Sequence, residues 1–408
     1  MRIGISGIGV ACGAGHGKAA FSEALFETPD LFSYLGREGR EPAEGDTPFI
    51  GVEMPEPPAI LPPRIARTVG LSARAAVSVL SEAWQEAGLD HVDPERIGLV
   101  VGGSNLMSRE RELALGEYAG RLSYVPPRHG HMFQDTDICG VCATVFPIRG
   151  FAVTVGAASA SGAVAVIQAV DAIRSGRVDV CIALGALQDL SAHDLQALRA
   201  MGAMGSSRFA NSPSKACRPM DADRDGFIYG EASAALVISR TDRVNSPKLY
   251  GSVLGTGIFN DGTRGPEPNS DGQARAAGKA LAEAGLTAAG IDYVNGHATG
   301  TPAGDTEELE TYRMLELQNA HINATKSIFG HGLSASGAIE VAAVLMQMEE
   351  GRLHPTRNLD HPLDPAVNWV GPRAANHAIR HALKFSFGFG GVNTALVLGV
   401  PGSGKQSK

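Results

Sequence analysis

Four short stretches of this chain carry side chains that a scaffold alone does not call for. The first, Ala158-Ser159-Ala160-Ser161-Gly162, is a turn of small residues between a β-branched run and an alanine-rich run. A sharp strand-to-helix turn of that kind can mount a nucleophile, because it exposes one side chain at a helix N-terminus. The second, "NGHATGTPAGD", spaces His297, Thr299, Thr301 and Asp305 along a polar loop after a strand pattern. The third, "NATKSIFGHGLSASGAIE", sets Lys326 and His331 ahead of a helical pattern that carries Glu340. The fourth, "SFGFGGVN", is a glycine-rich turn around Phe389. Two imidazoles and a serine admit general-base chemistry or stabilisation of an oxyanion. Taken singly, each stretch also reads as a satisfied histidine or a tight turn.

These residues need a frame, and the chain supplies one with a repeating rhythm. Short apolar runs that end in small residues ("RIGISGIGV", "RIGLVVGGS", "FAVTVGAAS", "VDVCIALGAL") alternate with helical patterns such as "ARAAVSVLSEAWQEAG" and "GAVAVIQAVDAIRSG". The second half repeats the scheme with "KLYGSVLGTGI", "ARAAGKALAEAGL", "IDYVNGHATG", "ASGAIEVAAVLMQMEEG" and "HALKFSFGFGGVNTALVLG". Strands alternating with helices predict an α/β protein with sheets covered on both faces. The boundary between halves is expected near residues 245–248, at "RVNSPK", and residues 105–150 break the rhythm like an insertion over a site or an interface. The N-terminal "GIGVACGAG" has Gly7 and Gly9, but Ala11 and Cys12 stand where a dinucleotide fingerprint needs its third glycine, so a strand and its turn are expected there.

Together and in this order, and with "RPMDADRDGFIYGEASA" at 218–234, the four stretches resemble the β-ketoacyl synthase family, the condensing enzymes of fatty acid and polyketide synthesis. The resemblance covers essentially the whole chain. It implies a thiolase-like fold, with two similar α/β halves in a layered αβαβα arrangement. The halves would be residues 1–247, with the insertion at about 105–150, and 248–401, followed by a disordered tail at 402–408. By the same resemblance His297 and His331 are the paired active-site histidines, and Lys326 is their supporting lysine. Glu340 is its acidic partner, with Asp305 among the supporting groups. Thr299 and Thr301 contact a phosphopantetheine arm, and Phe389 is the gating aromatic beside the nucleophile. Ser161 falls on a structural position of the turn.

The departure lies at the turn itself, where the family's cysteine position is Ser159. A thiol has a pKa of about 8.5 that a helix N-terminus lowers, whereas a serine hydroxyl needs an adjacent base. Self-acylation is therefore expected to be impaired, while two histidines can still stabilise the enolate left by decarboxylation. That pattern resembles the ketosynthase-like decarboxylases of polyketide β-branching cassettes, which turn a malonyl-acyl carrier protein into its acetyl form. A non-catalytic chain-length-factor-like subunit and a serine-dependent acyltransferase on the same fold remain open alternatives.

Composition narrows the partners. The net charge of −8 argues against nucleic acid, and no run approaches the roughly 18 apolar residues of a membrane span. Five cysteines, odd in number and without paired metal spacing, predict reduced thiols in a cytoplasmic protein, with Cys142 a buried structural residue. His129 and His131 have the spacing of two metal ligands on a strand but lack a third, so neither a metal nor a bound cofactor is expected. Asp221, Arg224, Asp225 and Glu231 are expected in buried or interface ion pairs. The expected partners are an acyl carrier protein, which presents the substrate on its phosphopantetheine, and a second subunit. That subunit would form a homodimer, or a heterodimer with a ketosynthase. A local patch of Arg and Lys is expected around the tunnel mouth, because carrier proteins are acidic.

Overall fold

The computed structural model describes residues 2–244 and 246–403, so Met1, Asn245 and residues 404–408 of the tail expected at 402–408 lie outside the described residues. The strand patterns of the first half form β1 (Ile3–Cys12), β2 (Ile97–Gly102), β3 (Phe151–Val155), β4 (Val180–Gly185) and β5 (Ala232–Arg240). Those of the second form β6 (Gly251–Asn260), β7 (Tyr293–Asn295), β8 (His321–Asn323), β9 (His381–Gly388) and β10 (Val392–Gly399). Their order across the sheet is β8-β7-β9-β10-β6-β1-β5-β4-β2-β3. Counted outward from the centre, both halves run first, fifth, fourth, second, third. The directions match too: in each half the first strand is antiparallel to the fifth and the fifth to the fourth, with parallel pairing beyond. Among the described residues the two sets of strands pair with each other at Gly4–Ser252 and Ile5–Gly251, where β1 lies antiparallel to β6.

The helices that matter to the site are α1 (Leu71–Ala87), α2 (Ser161–Arg174), α3 (Ser270–Ala284), α4 (Pro302–Met314), α5 (Lys326–Phe329) and α6 (Ser336–Glu350). Period-two alternation along the strands feeds different cores on opposite faces. On β5, Leu236 and Ile238 join a central cluster with α2 and α6, while Ala235 and Val237 face α1. On β10, Leu396 and Leu398 face that same centre, while Ala395 and Val397 face α3. The result is the layered αβαβα arrangement, with α2 and α6 as the middle layer and α1 and α3 outside.

Glycines set the closest approaches between these layers. A Cβ on Gly7 or Gly9 would sit 2.3 Å from Ala83 O or 1.8 Å from Val79 O of α1, and one on Gly255 or Gly257 would sit 2.0 Å from Ala280 O or Ala276 O of α3. The early Gly-x-Gly is thus the contact of a strand with its covering helix, in two copies. In the middle layer α2 and α6 touch at Gly162 and Gly337, where a Cβ would meet Ala338 N at 2.7 Å and Ala163 N at 2.2 Å. These contacts belong to a repeat, Ser-Ala-Ser-Gly-Ala at 159–163 and again at 334–338. The residue ahead of each copy, Ala158 or Leu333, has a left-handed backbone (φ 46° and 49°).

The segment 105–150 folds largely as short helices, including Ser108–Glu117 and Thr136–Val145. His129 and His131 lie on a helical turn (His129–Met132), where their spacing points the side chains apart, not on a strand. Among the described residues no group of three or more His, Cys, Asp or Glu side chains is placed to hold a metal ion. No helix among them is long and apolar enough to cross a membrane. All five cysteines are buried and free, Cys142 included.

Candidate active site

The turn that carries Ser159 is held under strain by its neighbour. Ser161 Oγ accepts from the Ala157 N–H (2.9 Å) and donates to the Ala158 carbonyl (2.7 Å), which fixes the left-handed Ala158 and starts α2. Ser159 is left half-buried at the head of that helix. The glycine-rich turn between β9 and β10 closes against it. A Cβ on Gly388 would come within 2.3 Å of Ala157 O, so the two segments fit only with glycine there.

A cavity of about 450 Å³ opens at this turn. It brings together Ser159, His297, Thr299, Thr301, His331 and Phe389, all singled out from sequence. Phe389 is 41% exposed at the rim, while both histidines are buried. Their rings stand 5.5 Å apart, centroid to centroid, at 82°. Phe387 and Phe227, which also line the cavity, pack edge-on against His297 and His331. Thr299 and Thr301 hydroxyls bond one another (2.9 Å), and Thr301 also caps α4 by accepting from the Gly304 N–H.

The hydrogen bonds behind the rings decide how they face the cavity. The Leu333 backbone N–H points at His331 Nδ1 (3.2 Å), and the Ser336 hydroxyl lies 2.9 Å from the same atom. A backbone N–H only donates, so Nδ1 accepts and the proton of the neutral ring sits on Nε2. For His297, Nδ1 faces the Lys326 ammonium at 3.3 Å, which also only donates, so this ring too carries its proton on Nε2. Burial, first, and then the Lys326 charge hold both imidazoles well below the ordinary value, so both are neutral near pH 7.

Lys326, Glu340 and Asp305 do not line the cavity; they stand behind it. Buried Lys326 donates to the His297 carbonyl and to Glu340 Oε1. Asp305 accepts from Met220 N (2.6 Å) and Gly300 N (3.0 Å), tying the histidine loop to the 218–226 segment, and burial pushes its carboxyl up to about 6. Of the ion pairs expected in that segment, Asp221 pairs with Arg218, Glu231 with Arg37 and Arg40, and Arg224 lies near Asp305. Asp225 departs from the expectation, since it accepts from Ser206 through backbone and hydroxyl. The cavity lining holds Asp261 and Glu267 but neither Lys nor Arg, so the expected basic patch does not extend into it.

Two functional side chains escape a reading of the sequence. Glu308 lines the cavity and accepts from the His297 and Ala298 N–H groups, each at 2.6 Å; burial pushes it up to about 7. Its signal was the i,i+3 spacing from Asp305 on α4. Lys384 is fully buried in β9, with Nζ 2.5 Å from Glu340 Oε2. Its signal was a single charge in the apolar strand "HALKFSFG".

Known proteins resemble this chain along most of its length. The family model described as the β-ketoacyl synthase N-terminal domain matches residues 1–243, and that of the C-terminal domain matches 250–360. The chain is 46% identical over 398 residues to the polyketide biosynthesis malonyl-ACP decarboxylase PksF of Bacillus subtilis, covering 97% of this chain and 95% of the relative. A β-ketoacyl synthase from Burkholderia phymatum superposes with a TM-score of 0.86 at 26% identity, over 98% of this chain and 99% of the other. A Xenorhabdus doucetiae ketosynthase solved in complex with its chain length factor gives 0.81 at 25%, over 98% of each chain.

Proposed function

The chain belongs to the β-ketoacyl synthase family, and from that premise we propose that it decarboxylates malonyl-acyl carrier protein to acetyl-acyl carrier protein without condensation, as a supplier of acetyl units for β-branching in polyketide biosynthesis. The observation that carries the reading is the pair His297 and His331, neutral Nε2–H donors that line one cavity together with a turn that carries serine and no thiol. The 46% identity to PksF supports it.

In this scheme the malonyl arm enters past Phe389, and the Thr299 and Thr301 hydroxyls hold its phosphopantetheine. Both imidazoles donate to the thioester oxygen. The bond from the α-carbon to the carboxylate breaks, carbon dioxide leaves, and the electron pair moves onto that oxygen as an enolate. With no acyl group on Ser159 there is no electrophile, and the α-carbon takes a proton from water. Donors already aimed at the developing charge cost no reorganisation when the bond breaks. The same hydrogen bonds weigh against a serine acyltransferase, because a general base needs a free ring lone pair facing the hydroxyl. Here both Nδ1 atoms are engaged behind the rings.

The protein would work in the cytoplasm as a homodimer. β3 is an edge strand whose Val153 is 40% exposed, a surface that a second copy could cover. The deciding experiment incubates the protein with malonyl-acyl carrier protein and weighs the intact carrier. Loss of one carbon dioxide with no adduct on Ser159 is expected. An unchanged malonyl carrier sinks the decarboxylase and favours a silent partner subunit, and an acyl-Ser159 adduct favours the acyltransferase.

A further inference from the structure

Lys384 has a place in the site that the paired histidines and Lys326 do not account for. It is fully buried in β9, three residues before Phe387, whose ring packs on His297. Its ammonium donates to the Phe385 carbonyl and the Ser386 hydroxyl and lies 2.5 Å from Glu340 Oε2. Glu340 Oε1 is taken by Lys326, which in turn holds His297 through its carbonyl and Nδ1. One carboxylate on α6 therefore bridges two buried ammonium groups, one on α5 and one on β9. A single buried ion pair would need only one of them.

We propose that Lys384 is a positioning residue for decarboxylation: it fixes Glu340, and through it Lys326 and His297, and it leaves a net positive charge behind the two imidazoles that favours the enolate. This inference rests on the decarboxylase reading. In a site closed to water a charge acts over several ångströms with little screening. Two lysines against Glu340 leave a positive surplus while Glu308, pushed up by burial to about 7, holds its proton. That surplus disfavours an imidazolium and favours an anion on the far side of the rings. Consistent with that, the Lys384 charge contributes to holding both His297 and His331 neutral, after burial and the nearer groups. The position has a cost. Burial, only partly offset by Glu340, brings the Lys384 ammonium down to about 8. The charged and titratable groups around it are Glu340 on α6, Lys326 on α5, Glu308 on α4 and, beyond them, the two histidines. Of these, Glu308 is pushed up by burial and both imidazoles are driven down, so Lys384 and Glu308 are the groups that can lose rate as pH rises, and the Lys384→Arg variant tells them apart.

The test follows malonyl-carrier decarboxylation by intact mass between pH 6 and 9.5 in the wild type, Lys384→Met and Lys384→Arg, with thermal melting of each. Wild-type turnover is expected to fall above pH 8. Lys384→Met is expected to lose at least about tenfold in kcat at pH 7, with KM changed much less, and to lose the alkaline limb. Lys384→Arg, charged throughout this range, is expected to recover rate and keep it at pH 9.5. A folded Lys384→Met with wild-type kcat overturns the proposal, as does a wild-type profile flat to pH 9.5. If the methionine variant does not fold, an alkaline limb unmoved by Lys384→Arg overturns it instead. A wild type inactive at every pH is a failure of the decarboxylase reading itself, and so is told apart from a failure at Lys384.

Discussion

Leu333 donates its backbone N–H to Nδ1 of His331, and this 3.2 Å contact fixes which ring nitrogen faces the cavity. The Gly332 dihedrals, φ −75° and ψ 8°, turn the Leu333 amide back toward the imidazole, and Leu333 itself is left-handed at φ 49° as the chain enters the next helix. The turn thus aims a donor, and the roles of the side chains around it can be tested from there.

Replacing His297 or His331 by Ala should each lower decarboxylation by about 10²–10³-fold, the usual loss for one oxyanion donor. Single-turnover assays with malonyl-acyl carrier protein measure it. A loss below tenfold in either variant would mean that the ring does not touch the reacting oxygen.

Both rings should stay neutral at pH 6, where a free histidine, with a pKa of about 6.5, is mostly protonated. Their folded values are depressed, so protons bind preferentially to the unfolded chain. The stability they contribute is full above about pH 6.5 and is lost as pH falls toward the folded values. Nitrogen-15 spectra of histidine-labelled protein at pH 6 should show Nε2 protonated and Nδ1 bare at both sites. An imidazolium signal from either ring would contradict the assignment.

Ser159→Ala should keep most of the decarboxylation, since the scheme gives the hydroxyl no covalent part. Ser159→Cys should gain a single fast site for iodoacetamide. The five native thiols are all buried, and burial pushes Cys12 and Cys217 up to about 12. Mass spectrometry of native protein before and after alkylation counts the adducts. Rapid labelling of the wild type would show that another thiol reaches solvent.

Gly337→Ala should destabilise the fold by about 1–3 kcal/mol, because the new methyl meets backbone rather than a side chain that can move aside. Gly278→Ala on α3 is its control, for a Cβ there meets nothing within 4 Å. It should stabilise by up to about 1 kcal/mol through helix propensity alone. Melting curves that placed both variants together would refute the close α2–α6 contact as the cause.

The sheets and helices were legible because burial on both faces leaves long apolar runs and alanine-rich helical periods, as in β5 and α2. The histidines, the threonines and the turn at Ser159 were legible because each sits in a distinctive loop. Lys384 was not, since a lysine inside a strand reads as a surface residue until Glu340 arrives from α6, 44 positions away in sequence (384 − 340). Glu308 hid for a similar reason: its partners are backbone amides of a loop whose path no periodicity describes. Gly7 and Gly9 were legible as part of a strand and its turn, but their contact with α1 was not, because glycine spacing is silent about what comes close.

The doubled Ser-Ala-Ser-Gly-Ala turn has a consequence for how such a site can change. Just ahead of one copy the Leu333 amide goes to a histidine, and within it Ser334 donates to the Ala186 carbonyl, so that copy is tied into the frame. The other copy hangs its strain on Ser161, leaving position 159 facing the cavity with no framework duty. Division of labour between twins therefore leaves one residue spare. Its chemistry can be swapped, thiol for hydroxyl, while the fold and the aim of the donors stay as they were.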